Sequence, residues 1–153
     1  MQNLRVAYVI NDAAFFVSHR LTLALEVVKL GGEVCLIIGD NINKKIEEQA
    51  IKKLKDHKIQ YFKCFYSQSF KNPIFEIIGL IQLIFFLKKF NPTTIHSVTS
   101  KGNLMASIAC NFVSTKKLIL TVSGLGTLFI GKTNFKRKII LFLYKILLRV
   151  SLK

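Results

Sequence analysis

Acidic side chains are the scarcest chemistry in this chain. Asp and Glu number eight against twenty-three Lys and Arg, which leaves a net charge of +15. Abundant Ile, Lys, Asn and Phe is what AT-rich coding yields, but such coding does not remove acids. A surplus this large favours polyanionic partners: nucleic acid, anionic lipid headgroups or phosphorylated substrates. The shortage also leaves no pair of carboxylates of the kind glycoside hydrolysis uses.

Cysteine is equally limiting. Cys35, Cys64 and Cys110 are odd in number, scattered and embedded in apolar runs. That pattern excludes a disulfide frame and fits reduced thiols in a cytoplasmic protein. The three histidines are isolated, and neither H-x-x-x-H nor C-x-x-C occurs, so no metal is expected. The stretch "NDAAFF" after the first apolar run has no glycine. A dinucleotide pyrophosphate needs the close backbone approach of G-x-G-x-x-G, and no phosphate loop of the G-x-x-x-x-G-K-[ST] type is present either. Nicotinamide-dependent and P-loop chemistry are both disfavoured.

No run is long enough to cross a bilayer. The longest, Pro73 to Leu87, is interrupted by Glu76 and Gln82 and falls short of the roughly 20 residues required. A buried helix is expected there. The N-terminus "MQNLRVAYVIND" carries no cleavage site and reads as a strand, so secretion is not expected.

What is present is ample apolar material. Hydrophobic residues make up 51% of the 153, enough for one domain, 1–153, with a sizeable core. No internal repeat, low-complexity stretch or linker divides it. "LRVAYVI", "EVCLIIG", Ile59–Phe65, "TTIHSVT" and "KLILTVS" read as buried strands. Between them, Leu21, Ala24, Leu25 and Val28 mark one helical face, and Lys44–His57 presents another. Gly31-Gly32 stop the first helix, because glycine tolerates the left-handed position after a helix end. Asn72-Pro73 starts a helix that closes on Lys88-Lys89. Gly102–Val113 and Phe135–Lys153 supply the last two. Strict alternation of strand and helix predicts an α/β, doubly wound parallel sheet of Rossmann-like type.

In such sheets ligands bind beyond the carboxyl ends of the strands, near the point where strand order reverses. That selects the loops Asn11–Arg20, Thr99–Gly102 and Ser123–Lys132. Ser18-His19-Arg20 offers a proton carrier and a fixed cation at the mouth of the first helix; a serine cap with two surface polar residues is the plainer alternative. Asp12 and Asp40 are the acids available, and Asp12 also suits a turn closure. His96 reads as a satisfied histidine within a strand, and His57 as solvated. Ser123-Gly124-Leu125-Gly126 is either a turn or a loop whose main-chain N–H groups approach an anionic or polyol ligand. The last helix has a basic start, Lys136-Arg137-Lys138, and a stripe continued by Lys145 and Arg149. The rest of its surface is apolar, so it is either buried or laid in a membrane interface.

Four stretches together resemble one family. "FFVSHRLTLALEVVKLGGEV", "IHSVTSKGNLMASIAC", "VSGLGTLF" and "LYKILLR" are similar, in order and spacing, to motifs of bacterial family-four glycosyltransferases of the GT-B fold. The resemblance covers nearly the whole chain but only the N-terminal, acceptor-side domain; the C-terminal donor-binding domain, with its paired glutamates, has no counterpart in these residues. It implies sugar transfer from a nucleotide-sugar donor, with no other cofactor, to a cell-surface glycan acceptor, often lipid-linked. It implies a same-face, retaining transfer assisted by the leaving phosphate, in polysaccharide biosynthesis at the inner face of the cytoplasmic membrane. By position His19 and Asp12 are the catalytic candidates. Asn11, Ser18, Arg20, Thr99, Ser100, Lys101, Ser123, Gly124 and Gly126 would bind substrate. Asn11-Asp12 stand where many relatives have glycines, Ser123 where they have histidine, and Thr127 where an aromatic is usual.

As 153 residues the chain is expected to turn over little or nothing alone, and to need a separately encoded second half or a longer frame. The alternative is a non-catalytic basic protein that binds the membrane surface or a polyanion. Nucleic acid is not expected, since the basic residues form no recognition element.

Overall fold

A computed structural model describes residues 4–40, 43–67, 73–115 and 117–122. The elements run β1 (Arg5–Ile10), α1 (Ala13–His19), α2 (Leu21–Lys29), β2 (Glu33–Asp40), α3 (Lys44–Asp56), β3 (Gln60–Ser67), α4 (Pro73–Phe90), β4 (Thr94–Val98), α5 (Ser100–Ala109), a 3₁₀ turn (Cys110–Phe112) and β5 (Lys117–Thr121). All strand pairings are parallel and the spatial order is β3-β2-β1-β4-β5. The expected doubly wound sheet is the observed one, and its strand order reverses between β1 and β4.

Alternation along β1 builds two cores. Val6, Tyr8 and Ile10 face α1, α2 and α3 together with Leu36, Ile38, Phe16 and Leu54. Ala7 and Val9 face the other way with Cys35, Ile37, Ile95, Leu83, Leu87 and Met105 under α4 and α5. Period-two side chains on strands buried on both faces require this division. The amino edge of the sheet is tied by Arg5, whose guanidinium pairs with Glu33 at 2.8 Å and donates to the Phe90 carbonyl at the end of α4.

Three expectations change. The stretch from Asn11 to Arg20 is not a loop: residues Ala13–His19 form α1. Two carboxylates hold its first turn, the Asp12 side chain accepting from Phe15 N at 2.8 Å and Glu47 of α3 accepting from Ala13 N. Such anions suit the unsatisfied donors and positive end of a helix. The helix expected from Leu21 is present as α2, and it meets α1 at Arg20, where φ is −131°. Just before it, Ser18 Oγ donates back to the carbonyls of Ala14 and Phe15, a bond that competes with the helical ladder and bends it. Ser18 is therefore inside a helix and caps nothing.

The third change concerns α4, which is not a buried helix. Gly79, Leu83, Leu87 and Phe90 are buried, but Ile74, Ile77, Ile81 and Phe85 are each at least 60% exposed. The end of α2 follows expectation. Gly31 has φ +78°, its N–H donates to Val28 O, and Gly32 N donates to Val27 O, the paired bonds of a left-handed helix stop. Asn72, expected to cap α4, lies outside the described residues.

Candidate active site

The carboxyl ends of β1 and β4 meet at the strand-order reversal. Asn11 and Asp12 leave β1 there, and Thr99 and Ser100 leave β4. Thr99 Oγ1 donates to Asn11 Oδ1 at 2.9 Å and accepts from Gly102 N at 3.3 Å, capping α5. The Asn11 carbonyl in turn accepts from Gly39 N at the end of β2. Thr99 holds φ 77° and ψ 152°, a region that a β-branched residue enters only under strain. Gly102 lets α5 approach closely, since a Cβ there would stand 2.9 Å from the Val9 carbonyl.

Beneath this crevice lies a polar layer that sequence reasoning missed. Asn103 is fully buried; it accepts from Ser97 Oγ of β4, and its amide donates to the Thr121 carbonyl of β5 at 3.1 Å. Thr121 Oγ1 meets His96 Nε2 at 2.8 Å. Burial, and then the positive charge of Arg20, holds the His96 imidazole below its ordinary pKa of 6.5. Its ring lies 5.0 Å from Tyr8, whose hydroxyl pKa burial raises against the opposing Arg20 charge. His96 is thus the satisfied strand histidine expected, and His57 is exposed at the end of α3.

His19 is exposed in the last turn of α1. Its ring stacks on Phe15 at 4.3 Å, and Nδ1 lies 2.6 Å from Ser18 Oγ and 3.2 Å from the Phe15 carbonyl. Arg20 Nη1 donates to the His19 carbonyl. Arg20, at the α1–α2 junction, lies close enough to Tyr8 of β1 and His96 of β4 for its charge to act on both. Beside it, α1 and α3 enclose an open groove of about 240 Å³ that includes Ser18, Gln49 and Lys53 in its lining.

Asp12 and Lys101 are both buried. Asp12 caps α1. Lys101 Nζ lies 2.6 Å from Glu76 Oε1 of α4, with the lysine side chain 3% exposed. Tyr66, also buried here, donates to the Ile10 carbonyl at 2.9 Å; burial, reinforced by the nearby Cys64, Asp12 and Glu76, raises its pKa well above the usual range. Asn11, Thr99 and Ser100 keep partial exposure in the crevice. Ser123, Gly124 and Gly126, and the basic residues Lys136, Arg137, Lys138, Lys145 and Arg149, lie outside the described residues. Among the described residues no group of three His, Cys, Asp or Glu side chains is placed to hold a metal ion.

The family model described as "Glycosyl transferase 4-like" matches residues 5–152. This chain belongs to that family. Among solved structures, a glycosyltransferase from Rickettsia africae ESF-5 is similar with a TM-score of 0.66 at 16% identity, over 97% of this chain and 35% of that one. At that identity the likeness is one of fold, and this glycosyltransferase-like domain spans about a third of the solved chain. No curated protein gives a significant match.

Proposed function

We propose that this domain is the acceptor-side half of a retaining glycosyltransferase, working on a lipid-linked glycan at the inner face of the cytoplasmic membrane. The observation that carries the reading is the family match along residues 5–152. The geometry agrees with it in one respect: a polar crevice opens where β1 and β4 diverge, the position at which doubly wound sheets take ligands.

In this reading the acceptor enters between the α1–α2 junction and the start of α5. Asn11, Thr99 and Ser100 contact it from the sheet, and Ser18, His19 and Arg20 from the junction. His19, exposed and held by Phe15 and Ser18, is the proton-handling group, and Asp12 acts by fixing the start of α1. Ser123, Gly124 and Gly126 offer backbone donors to the same ligand. The nucleotide-sugar donor is bound by a second domain, in the same polypeptide or another, because these residues correspond to only about a third of the solved relative. The leaving phosphate assists the same-face transfer, so no protein carboxylate attacks the sugar and no further cofactor is needed.

The test joins this chain to a family donor-binding domain and supplies labelled nucleotide sugars with native-source membranes. Label entering the lipid-soluble fraction supports the reading, and its loss in both His19→Ala and Gly126→Val supports the site. Full transfer by both variants overturns the site, and no transfer from any donor overturns the reading. Salt-sensitive retention on a polyanion without transfer is the behaviour of a non-catalytic basic protein.

A further inference from the structure

The feature left unexplained by the crevice is the outer face of α4. Ile74, Ile77, Ile78, Ile81 and Phe85 recur at helical spacing and share one side. Their exposures are 65, 60, 38, 61 and 61%, and Phe75 beside them is 54% exposed. The opposite side of the same helix packs in the core through Gly79, Leu83 and Leu87. A helix apolar on both sides has one side more than the domain core needs, and contiguous exposed apolar surface marks an interaction site.

The two polar residues that interrupt this run do not relieve the outer face, because both turn to the protein. Glu76 pairs with Lys101 at 2.6 Å, and Gln82 Oε1 accepts from Phe65 N of β3 at 2.7 Å. Phe65 itself is 64% exposed and adds a ring at this edge. The outer stripe then ends in charge of one sign. Lys88 and Lys89 are both exposed in the last turn, with Lys89 Nζ 5.8 Å from the Phe62 ring.

We propose that the outer face of α4 is a membrane-docking surface that lies in the interface of an anionic bilayer. Ile77, Ile78, Ile81, Phe75 and Phe85 enter the acyl boundary while Lys88 and Lys89 meet acidic headgroups. The partner follows from charge complementarity: a bilayer offers apolar depth and negative surface together, which is what the stripe and its lysines match. The +15 net charge adds attraction over longer range. Lying flat, not crossing, agrees with the described residues, in which no helix is long and apolar enough to span a membrane. The proposal rests on the membrane-surface part of the functional reading and is independent of sugar transfer. It locates that surface on α4.

The chain has no tryptophan, so Ile81→Trp gives a single reporter on this face. Its emission is expected to shift to the blue on mixing with phosphatidylglycerol-containing vesicles and to stay unchanged with pure phosphatidylcholine. In flotation, the combined Ile77→Ser, Ile81→Ser, Phe85→Ser variant should lose at least tenfold in vesicle affinity with its circular dichroism intact. Lys88→Gln with Lys89→Gln should weaken binding and reduce its salt dependence. Vesicle binding that survives the serine variant, or an unshifted reporter on bound protein, overturns the α4 surface while leaving membrane association in place. A wild-type chain that ignores anionic vesicles overturns both. A shift that tracks self-association without lipid assigns the face to a second copy and overturns the proposal.

Discussion

Thr99 Oγ1 donates to Asn11 Oδ1 at 2.9 Å across the reversal of strand order, tying the exit of β4 to the exit of β1. The same hydroxyl caps α5, while the Thr99 backbone sits at φ 77°. One strained residue therefore joins both walls of the crevice. Thr99→Val removes the hydroxyl and keeps the strain, and should destabilise the domain by about 1–3 kcal/mol. Thr99→Gly loses the same bonds but relieves a backbone cost of about 1–3 kcal/mol. Urea denaturation should therefore show the glycine variant to be the more stable of the two; the reverse order would mean that Thr99 is not strained.

Glu76 and Lys101 form a buried pair linking α4 to α5, with side chains 14% and 3% exposed. Breaking such a pair leaves one charge without its partner and costs about 3–5 kcal/mol. Lys101→Met should lower the denaturation midpoint sharply. Lys101→Met combined with Glu76→Leu should recover much of the loss. Additive losses in the double variant would contradict the pairing.

His96 gives the domain a pH dependence with a defined sign. Its folded-state pKa is lowered, first by burial and then by Arg20. Above about 6.5 the imidazole is neutral in both states, and its contribution to stability is intact. As pH falls below that value the unfolded chain takes the proton first, so stability declines until the folded-state pKa is passed. His96→Gln should flatten the loss between neutral and mildly acidic pH in thermal melts. An unchanged slope would mean that another group titrates there.

The thiols should react in a fixed order. Burial pushes Cys35 and Cys64 up to about 12, with each thiol closed to solvent. Cys110 is half-buried and raised by burial. Since the thiolate is the reactive form, a disulfide reagent at pH 8 should titrate Cys110 first, and the other two only on unfolding. Rapid modification of all three in the native state would contradict the packing of β2 and β3.

The sheet was legible because its strands are continuous apolar runs such as "VCLIIG", separated by helical periodicity and glycine stops. The start of α1 was not, because one of the two carboxylates that hold it is not local: Glu47 reaches Ala13 N from 34 residues away. The exposure of α4 was hidden for a different reason. Periodicity reports a face only when the two sides differ, and here Leu83 and Ile81 read alike although one is buried and the other is 61% exposed. The crevice position, and with it Asn11 and Thr99, followed from the rule for parallel sheets. Asn103 did not, since a lone asparagine among small helical residues looks like surface until Ser97 and Thr121 are seen to converge on it. Lys101 shows the converse, as a cation expected at a cleft whose ammonium is paired with Glu76.

Acceptor recognition by these residues, with the donor left to another domain, is the core of the proposed function. Its most direct test is the binding of two ligands to this chain in a single titration series. One is a short polyprenyl-diphosphate-linked saccharide in detergent, and the other is a panel of nucleotide sugars in the same detergent. Saturable binding of the lipid-linked saccharide, weakened at least tenfold by His19→Ala, is expected, with nucleotide sugars binding far more weakly. Tight binding of a nucleotide sugar, with none of the acceptor, would contradict it.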